Sequence, residues 1–255
     1  MPAEAPRGLA PASGSDKTPA RIAGMFDQIA ERYDLLNRLL SGGLDRYWRW
    51  RALRALALTG GETLLDVCTG TADVAIGAVR RRRGARRAIG VDFAGAMLDH
   101  GWRKVQRHAL DRRVTLVRGD ALALPVGAGT VDAATVAFGI RNVTDPVAAA
   151  REMHRALTPG GRLAILEFGL PSAPGLRQVY LWYFRRVLPR VGAALSRHSS
   201  AYTYLPDSVG AFPAGGAFAA LLESAGFEDV SAVPLALGAV YLYTARKPGA
   251  DRPAM

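Results

Sequence analysis

Short apolar segments that alternate with helix-like segments constrain the fold of this 255-residue chain more than any other feature. Their apolar residues run on without strict alternation, which is typical of parallel strands buried on both faces of a sheet. The five predicted strands are TLLDV (63–67), RAIGVD (87–92), RVTLVRGD (113–120), VDAATVAFG (131–139) and GRLAILEF (161–168). Near the C-terminus, VSAVPLAL and GAVYLYTAR are expected to form an antiparallel hairpin. The pattern predicts a doubly wound α/β sheet that ends in a hairpin.

Composition divides the chain into a folded part and two tails. Residues 1–20 are rich in Pro, Ala, Gly and Ser without apolar periodicity, so they are predicted to be a disordered tail. Residues 21–247 are predicted to form a single domain, and residues 248–255 a C-terminal tail. Within that domain, residues 21–60 are expected to form a helical cap. The aromatic and basic residues 169–213 are expected to form an insertion that covers the substrate, and they also suit a membrane interface.

Several classes of protein are disfavoured by what the sequence lacks. No run of 18 apolar residues and no secretory signal is present, so a cytoplasmic protein is predicted. Cys68 is the only cysteine, which excludes an internal disulfide, and the histidines lack metal-ligand spacing, so no metal is predicted. The net charge of +11 favours a polyanionic neighbour, either nucleic acid or an anionic membrane surface. For the densest basic run, RRRRGARR (80–87), a solvated helix end is favoured over a dedicated binding patch.

The loops that follow the predicted strands indicate a ligand site, because ligands in doubly wound folds bind at the carboxyl ends of the strands. The first loop, DVCTGTADVA (66–75), has small residues that let the backbone approach a ligand, but it lacks the G-x-G-x-x-G fingerprint of dinucleotide binding. An acidic residue ends each of the first two strands, at Asp66 and Asp92. This arrangement fits S-adenosylmethionine, with the Asp92 carboxylate accepting hydrogen bonds from the ribose hydroxyls.

The third strand adds an adenine site to this edge. Asp120 is positioned to accept a hydrogen bond from the adenine amino group, beside Ala121 and Leu122. Turn-forming and helix-capping chemistry is the alternative explanation for Asp66, Thr71 and Asp73. Together the loops predict the core of a class I S-adenosylmethionine-dependent methyltransferase, a Rossmann-like α/β fold.

Longer segments carry a more specific resemblance. The segments are MFDQIAERYDLLNRLLSGGLDRYWR (25–49), DVCTGTAD, FGIRNVTDP, LTPGGRLAILEF and YTYLPDSVGAFP (202–213). Together they resemble the ubiquinone and menaquinone biosynthesis C-methyltransferase family, and among its members the bacterial demethylmenaquinone methyltransferases. The resemblance runs from about Gly24 to Lys247 and implies cofactor contacts at Thr71, Asp92, Asp120 and Ala121. Candidate cofactor residues beside these are Asp66, Gly70, Phe93 and Ala137.

The resemblance also marks two departures from the family pattern. Ala72 stands where many members have glycine. Ala137 stands where many have a serine that contacts the cofactor, so one hydrogen bond to the cofactor is lost here.

The resemblance implies methylation of a ring carbon of a prenylated naphthohydroquinone, with demethylmenaquinol converted to menaquinol. Arg141, just after the fourth strand, is the predicted catalytic residue, because a guanidinium stabilises the ring oxyanion that activates the adjacent carbon. An ion pair with a nearby carboxylate such as Asp145 is the alternative role. The candidate substrate residues are Tyr33, Asn142, His198 and Tyr202; Asp34 and Tyr204 are further candidate proton acceptors. An anionic membrane surface and a second copy of the chain, as a homodimer, are the candidate macromolecular partners.

Three alternative functions stay open on the sequence. An RNA methyltransferase explains the charge, but no Asn-Pro-Pro-Tyr-like loop follows the fourth strand and no RNA-binding module is appended, so nucleic acid is not expected as a partner. A methyltransferase acting on a soluble phenol shares the fold and the cofactor. A non-catalytic quinone-binding protein predicts a damaged cofactor loop, whereas Asp66, Gly70, Thr71 and Asp92 are all present.

Overall fold

The computed structural model describes residues 18–171, 173–183, 186 and 200–249. The strands are β1 (Thr63–Val67), β2 (Arg87–Asp92), β3 (Val114–Arg118), β4 (Val131–Ala137), β5 (Leu157–Phe168), β6 (Glu228–Leu235) and β7 (Val240–Arg246). The helices are α1 (Pro19–Leu40), α2 (Leu44–Ala55), α3 (Asp73–Arg80), α4 (Gly95–Arg107), α5 (Pro146–Ala156), α6 (Pro174–Trp182), α7 (Ser200–Ala211) and α8 (Gly216–Ser224).

All seven described strands belong to one sheet, in the order β3-β2-β1-β4-β5-β7-β6. Strands β1 to β5 are parallel to one another, whereas β7 runs antiparallel to both β5 and β6. The chain winds outward in one direction from β1 to β3 and in the other from β4 onward. The switch point of the topology therefore lies between β1 and β4, where open α/β sheets bind their ligands. The predicted doubly wound sheet with a C-terminal hairpin is confirmed.

Apolar cores cover both faces of the sheet. Successive strand residues point to opposite faces, so Leu64 packs in one core and Leu65 in the other. Trp48 of α2 and Val79 of α3 belong to the first core. Met153 of α5 belongs to the second core, together with Phe218 of α8 and Tyr243 of β7. Burial on both faces explains why the strands read as continuous apolar runs.

Several predicted boundaries differ from the structure, and both β3 (Val114–Arg118) and β4 (Val131–Ala137) end two residues earlier than predicted. Strand β5 begins at Leu157 rather than at the predicted Gly161. Val131 of β4 pairs with Leu157, and Ala133 pairs with Arg162, so the Pro-Gly-Gly segment forms a bulge within the strand. Helix α1 begins at Pro19, inside the predicted 20-residue tail, since proline is well suited to the first turn of a helix. The rest of that tail lies outside the described residues.

The predicted insertion at 169–213 is described in part, as α6 and α7. Val209 of α7 packs against a small apolar cluster that includes Leu170, Tyr180 and Leu205. Among the described helices, none combines the length and apolar character needed to span a bilayer.

Candidate active site

The loop after β1 has an unusual backbone that Asp66 holds in place. Cys68, Gly70 and Ala72 all adopt left-handed conformations, with φ of 54°, 54° and 63°. Such conformations are costly for residues other than glycine and persist only where neighbours fix them. The buried Asp66 Oδ2 accepts hydrogen bonds from the Thr69 hydroxyl at 2.6 Å and from the Ala75 N–H at 3.2 Å. Asp66 therefore positions the loop from below.

Asp92 ends β2 and is only 8% exposed. Its Oδ2 accepts the Gly70 N–H at 2.8 Å, and its Oδ1 accepts the Ala94 N–H at 2.9 Å. Burial raises the pKa of Asp92, although these hydrogen bonds act in the opposite direction. Since each carboxylate oxygen can accept a further hydrogen bond, Asp92 both anchors the loop and keeps acceptor capacity for a diol.

Two adjoining clefts open at this edge of the sheet. Asp92, Phe93 and Asn142 line both clefts. The first cleft is also lined by Asp120 and Ala121, and the second by Tyr33, Gly70 and Ala137. The structure thus brings most of the sequence-predicted site residues to one place, as the meeting of parallel strand ends requires.

The clefts also have lining residues that the sequence reading missed. Cys68 lines both clefts, although the lone thiol is expected from sequence to be inert packing. Phe26, Met97 and Phe138 line the second cleft. For Phe26 the signal was present, because it shares a face of α1 with Tyr33, and the two rings meet edge to face at 6.0 Å.

Gly139 explains why the loop after β4 comes so close to the loop after β1. A Cβ at this position would lie 2.3 Å from the Cβ of Cys68 and 3.0 Å from its Sγ. Only glycine leaves room for this contact, which closes the floor between the two loops.

Thr71 faces away from the clefts into a network of charges. Its hydroxyl donates to Asp34 Oδ1 at 2.6 Å and accepts from Lys104 Nζ at 3.2 Å. Lys104 also pairs with Asp34 at 2.7 Å and with Asp73. Arg49 bridges Asp73 and Asp45, at 3.1 and 2.7 Å. This network ties α1, α2 and α4 to the start of α3, beside the loop after β1.

The network bears on two of the sequence predictions. Burial alone would raise the pKa of Asp34, but the hydrogen bonds from Lys104 and Thr71 outweigh it and lower that pKa, which makes Asp34 a weak proton acceptor. The predicted cofactor contact of Thr71 stays a prediction, because its hydroxyl is already engaged with Asp34 and Lys104.

Arg141 is 5% exposed, and its carboxylate partner is Glu167, at the end of β5. Its Nη1 donates to Glu167 Oε1 at 2.8 Å and to the Phe138 carbonyl at 2.5 Å. Its Nε donates to the Ser208 hydroxyl of α7 at 3.4 Å. The fully buried Glu167 also accepts the N–H groups of Arg141 and Phe168, at 3.2 and 2.8 Å.

The alternative prediction that Arg141 pairs with Asp145 is wrong. Its Oδ1 accepts the Val147 and Ala148 N–H groups at 3.0 and 2.9 Å and so caps the N-terminus of α5. The carboxylate beside Arg141 is instead that of Glu167, which is 26 residues away in sequence but lies on β5, the strand next to β4.

The remaining predicted substrate residues are placed unevenly. Tyr33 is half-buried in the second cleft, and burial raises its pKa. Tyr202 lies on α7, but its side chain is outside the described part of the structure. His198 lies outside the described residues altogether.

The sheet order, the loop after β1 and the cleft at the switch point are together those of a class I methyltransferase. An S-adenosylmethionine-dependent methyltransferase from Aquifex aeolicus has a similar fold, with a TM-score of 0.55 and 19% identity, covering 86% of this chain and 96% of that one. The model of the ubiE/COQ5 methyltransferase family matches residues 14–247, so the chain belongs to that family.

Two curated relatives show how far this family likeness extends. The ubiquinone/menaquinone biosynthesis C-methyltransferase UbiE of Geobacter sp. (strain M21) is 44% identical over 227 residues, which are 89% of this chain and 96% of that protein. The demethylmenaquinone methyltransferase of Thermus thermophilus is 47% identical over 203 residues, covering 80% and 91% of the two chains.

The burial of Asp66 predicts a pH dependence of stability. Desolvation raises its pKa to about 7 in the folded protein, against about 3.9 in an unfolded chain. Between these values the folded protein binds more protons than the unfolded chain, so the free energy of unfolding falls as the pH rises from about 4 to 7. In Asp66→Asn, which keeps an oxygen acceptor, the contribution of Asp66 is absent and the fall in unfolding free energy with pH should be less steep; urea unfolding at several pH values measures it.

Glu62→Gln is the matched control. Hydrogen bonds from Thr59 and Gly60 outweigh burial and lower the pKa of Glu62 to about 2, so its contribution changes only at more acidic pH. If Asp66→Asn and the unmodified protein show the same slope above pH 4.5, Asp66 is ionised throughout and the assignment is wrong.

Proposed function

We propose that the chain transfers the methyl group of S-adenosylmethionine to a ring carbon of a prenylated naphthohydroquinone, and that demethylmenaquinol is its substrate. Family membership over residues 14–247, with relatives named as quinone C-methyltransferases, is the observation that carries this proposal. The lining of the second cleft supports it, because Phe26, Tyr33 and Phe138 offer flat apolar surfaces to an aromatic ring.

The residues of the clefts fit the methyl donor. Asp92 would accept hydrogen bonds from the ribose hydroxyls, for which its buried oxygens have capacity left. Asp120 and Ala121 would hold the adenine in the first cleft, and Gly70 leaves the backbone open to the amino acid end. When bound, the donor supplies an electrophilic methyl group on a sulfonium.

The reaction requires this chain to activate a ring carbon of the substrate and to align it with the methyl donor. Loss of a proton from a ring hydroxyl gives an oxyanion that pushes electron density onto the adjacent carbon. That carbon forms a bond to the methyl group while the bond from sulfur to methyl breaks and its electron pair returns to sulfur; the ring hydrogen then leaves as a proton. Much of the rate comes from holding the carbon in line with that bond in a site that excludes water.

Arg141 is the proposed stabiliser of the oxyanion. Glu167 fixes its guanidinium at the end of β4, next to Asn142, which lines both clefts. Because the pair is buried, its hydrogen bonds are fixed before the reaction and need no reorganisation as charge develops. Since Glu167 neutralises the net charge, Arg141 would act through directed N–H groups more than through a long-range field.

The cytoplasmic face of an anionic membrane is the proposed place of action, because a prenylated substrate resides in lipid. The basic composition of the chain is consistent with that surface. A homodimer stays a prediction.

The substrate assignment predicts the quinone pool of a strain that lacks this gene. Its lipid extract should accumulate the naphthoquinone that lacks the ring methyl group, and the intact gene should restore the methylated form. Mass spectrometry of the extracted quinones measures both. An unchanged quinone pool would indicate a soluble phenol as substrate, and accumulation of a demethylated benzoquinone would reassign the ring.

The cofactor assignment predicts weaker binding in Asp92→Ala. Loss of the charge-assisted hydrogen bonds to the ribose should reduce the affinity for S-adenosylmethionine by about 1 to 3 kcal/mol. Isothermal titration calorimetry measures this, with Asp99→Ala as control, since Asp99 is an exposed carboxylate of α4 outside the clefts. Equal affinities of Asp92→Ala and Asp99→Ala would remove Asp92 from the site.

The role of Arg141 is tested in a charge-balanced variant. Arg141→Met alone leaves the buried Glu167 without its counter-charge, which costs about 3 to 5 kcal/mol of stability. Arg141→Met/Glu167→Gln avoids that loss, and its kcat for demethylmenaquinol should fall by about 10²-fold or more with unchanged cofactor affinity. Arg141→Lys should recover only part of the rate, since it lacks the planar fork.

Single-turnover methylation and thermal melts measure these effects. Arg151→Met is the control, because Arg151 is an exposed arginine of α5. Near-normal turnover in the folded double variant would show that Arg141 serves only the structure.

A further inference from the structure

Helix α2 carries aromatic side chains on the face that points to solvent. Tyr47, Trp50, Arg51 and Arg54 follow one another at helical spacing, and Tyr47 and Trp50 are 47% and 42% exposed. The two rings stack at 6.0 Å, with Arg51 over Tyr47 at 5.9 Å and Arg54 over Trp50 at 5.2 Å. The opposite side of α2 buries Trp48, Ala52 and Leu53. Surface helices normally present polar residues to water, so this face is built for something other than solvent.

A cationic groove of about 550 Å³ adjoins the C-terminal end of this face. Leu53, Ala57 and Leu58 form its apolar part, and its rim is Trp50 with Arg54, Arg81, Arg82 and Arg83. Among the residues of the described part of the chain that line it, none is acidic. The structure thus gathers much of the RRRRGARR run around one groove, which a merely solvated helix end does not require.

Glu62, close by in the chain, does not neutralise these arginines. It accepts the N–H groups of Thr59, Gly60 and Gly61 at 2.9 to 3.1 Å and pairs with Arg162 at 3.2 Å. The positive charge of the groove therefore remains available to an anion from outside.

The apolar character of this surface continues onto α1. Leu35 and Leu39 lie one turn apart on α1 and are each 53% exposed, and Leu44 at the start of α2 is 47% exposed. Leu44 precedes Tyr47 by three residues, so the exposed apolar residues run from one helix to the next.

We propose that the aromatic face of α2, the adjoining leucines and the arginine groove dock the protein onto anionic phospholipids. This inference rests on the proposed function only in that a prenylated substrate is drawn from a membrane. Tyr and Trp favour the headgroup region, arginine binds lipid phosphates, and exposed leucines favour hydrocarbon. A second copy of the chain would bring arginines against arginines, and nucleic acid offers no hydrocarbon to the leucines.

The position of the surface suits an enzyme that exchanges one ligand with water and another with lipid. Helix α2 runs from the ligand edge, where Arg49 bonds Asp73, to the opposite edge, where Leu58 precedes β1. Contact along α2 therefore leaves the ligand edge open to water. Phe26 and Tyr33 lie on one face of α1 in the cleft, and Leu35 and Leu39 lie on the other, at about 100° of rotation per residue. A prenyl chain that runs from the cleft to the exposed leucines would therefore cross only the width of α1.

Vesicle binding by the full chain tests the proposal. The unmodified protein should cosediment with vesicles of phosphatidylcholine and phosphatidylglycerol, weakly with phosphatidylcholine alone, and less as salt rises. Arg82→Glu/Arg83→Glu should weaken binding by about tenfold or more, since each basic residue at the surface contributes. Arg103→Glu/Arg151→Glu, which changes the net charge equally at exposed positions of α4 and α5 outside the groove, should weaken it by less than about twofold.

The aromatic contribution has its own matched pair. Trp50→Ala should weaken vesicle binding, whereas Trp102→Ala, which removes a tryptophan that is 39% exposed on α4, should not. Equal losses in both charge pairs, equal loss in both tryptophan variants, or tighter binding to a 20-nucleotide strand than to vesicles would each overturn the proposal. Release from vesicles by millimolar glycerophosphate would also overturn it, as a site for free phosphate.

Methylation of a demethylmenaquinol with a short, water-soluble tail separates this inference from the proposed function. The docking variants should methylate it at the rate of the unmodified protein. If the unmodified protein fails to methylate it while the vesicle results hold, the proposed substrate is wrong and the docking surface stands.

Discussion

The buried pair of Arg141 and Glu167 holds together the parts of this protein that meet at the ligand edge. A carboxylate with no exposed surface at the end of β5 requires a cation, and the guanidinium at the end of β4 supplies it over 2.8 Å. The same carboxylate accepts two backbone N–H groups, and the same guanidinium reaches Ser208 on α7. Two strand ends and a helix from the C-terminal insertion are thus fixed by one pair of charges, within an otherwise apolar setting that includes Phe168.

A second set of charges performs a comparable task on the other side of the cofactor loop. Lys104 and Arg49 join three carboxylates from α1, α2 and α3, and Thr71 hydrogen-bonds into the group. The cofactor loop therefore lies between two polar anchors, Asp66 beneath it and this network beside it. Its left-handed residues are tolerated because these contacts over-determine the backbone.

The fold was readable from sequence because it depends on local pattern. Apolar runs identified β1 and β2 with their observed bounds, and the loops after them identified the ligand edge. The sequence predicts too late a start for β5, because the strand is continued through Pro159 and Gly160 by its pairing with β4. For the partner of Arg141, nearness along the chain suggests Asp145, whereas the sheet brings in Glu167, 26 positions away. Lys104 was missed because nothing along the chain marks a single lysine of α4 as the hub of a network.

The contact between Gly139 and Cys68 has a consequence for redesigning the cleft. A Cβ at position 139 would lie only 2.3 Å from the Cβ of Cys68, so no larger residue fits there and the spacing of the two loops is fixed. Volume can be added or removed instead at Ala137 and Met97, which line the same cleft. The size of the cleft is therefore adjustable at these two side chains but not at Gly139.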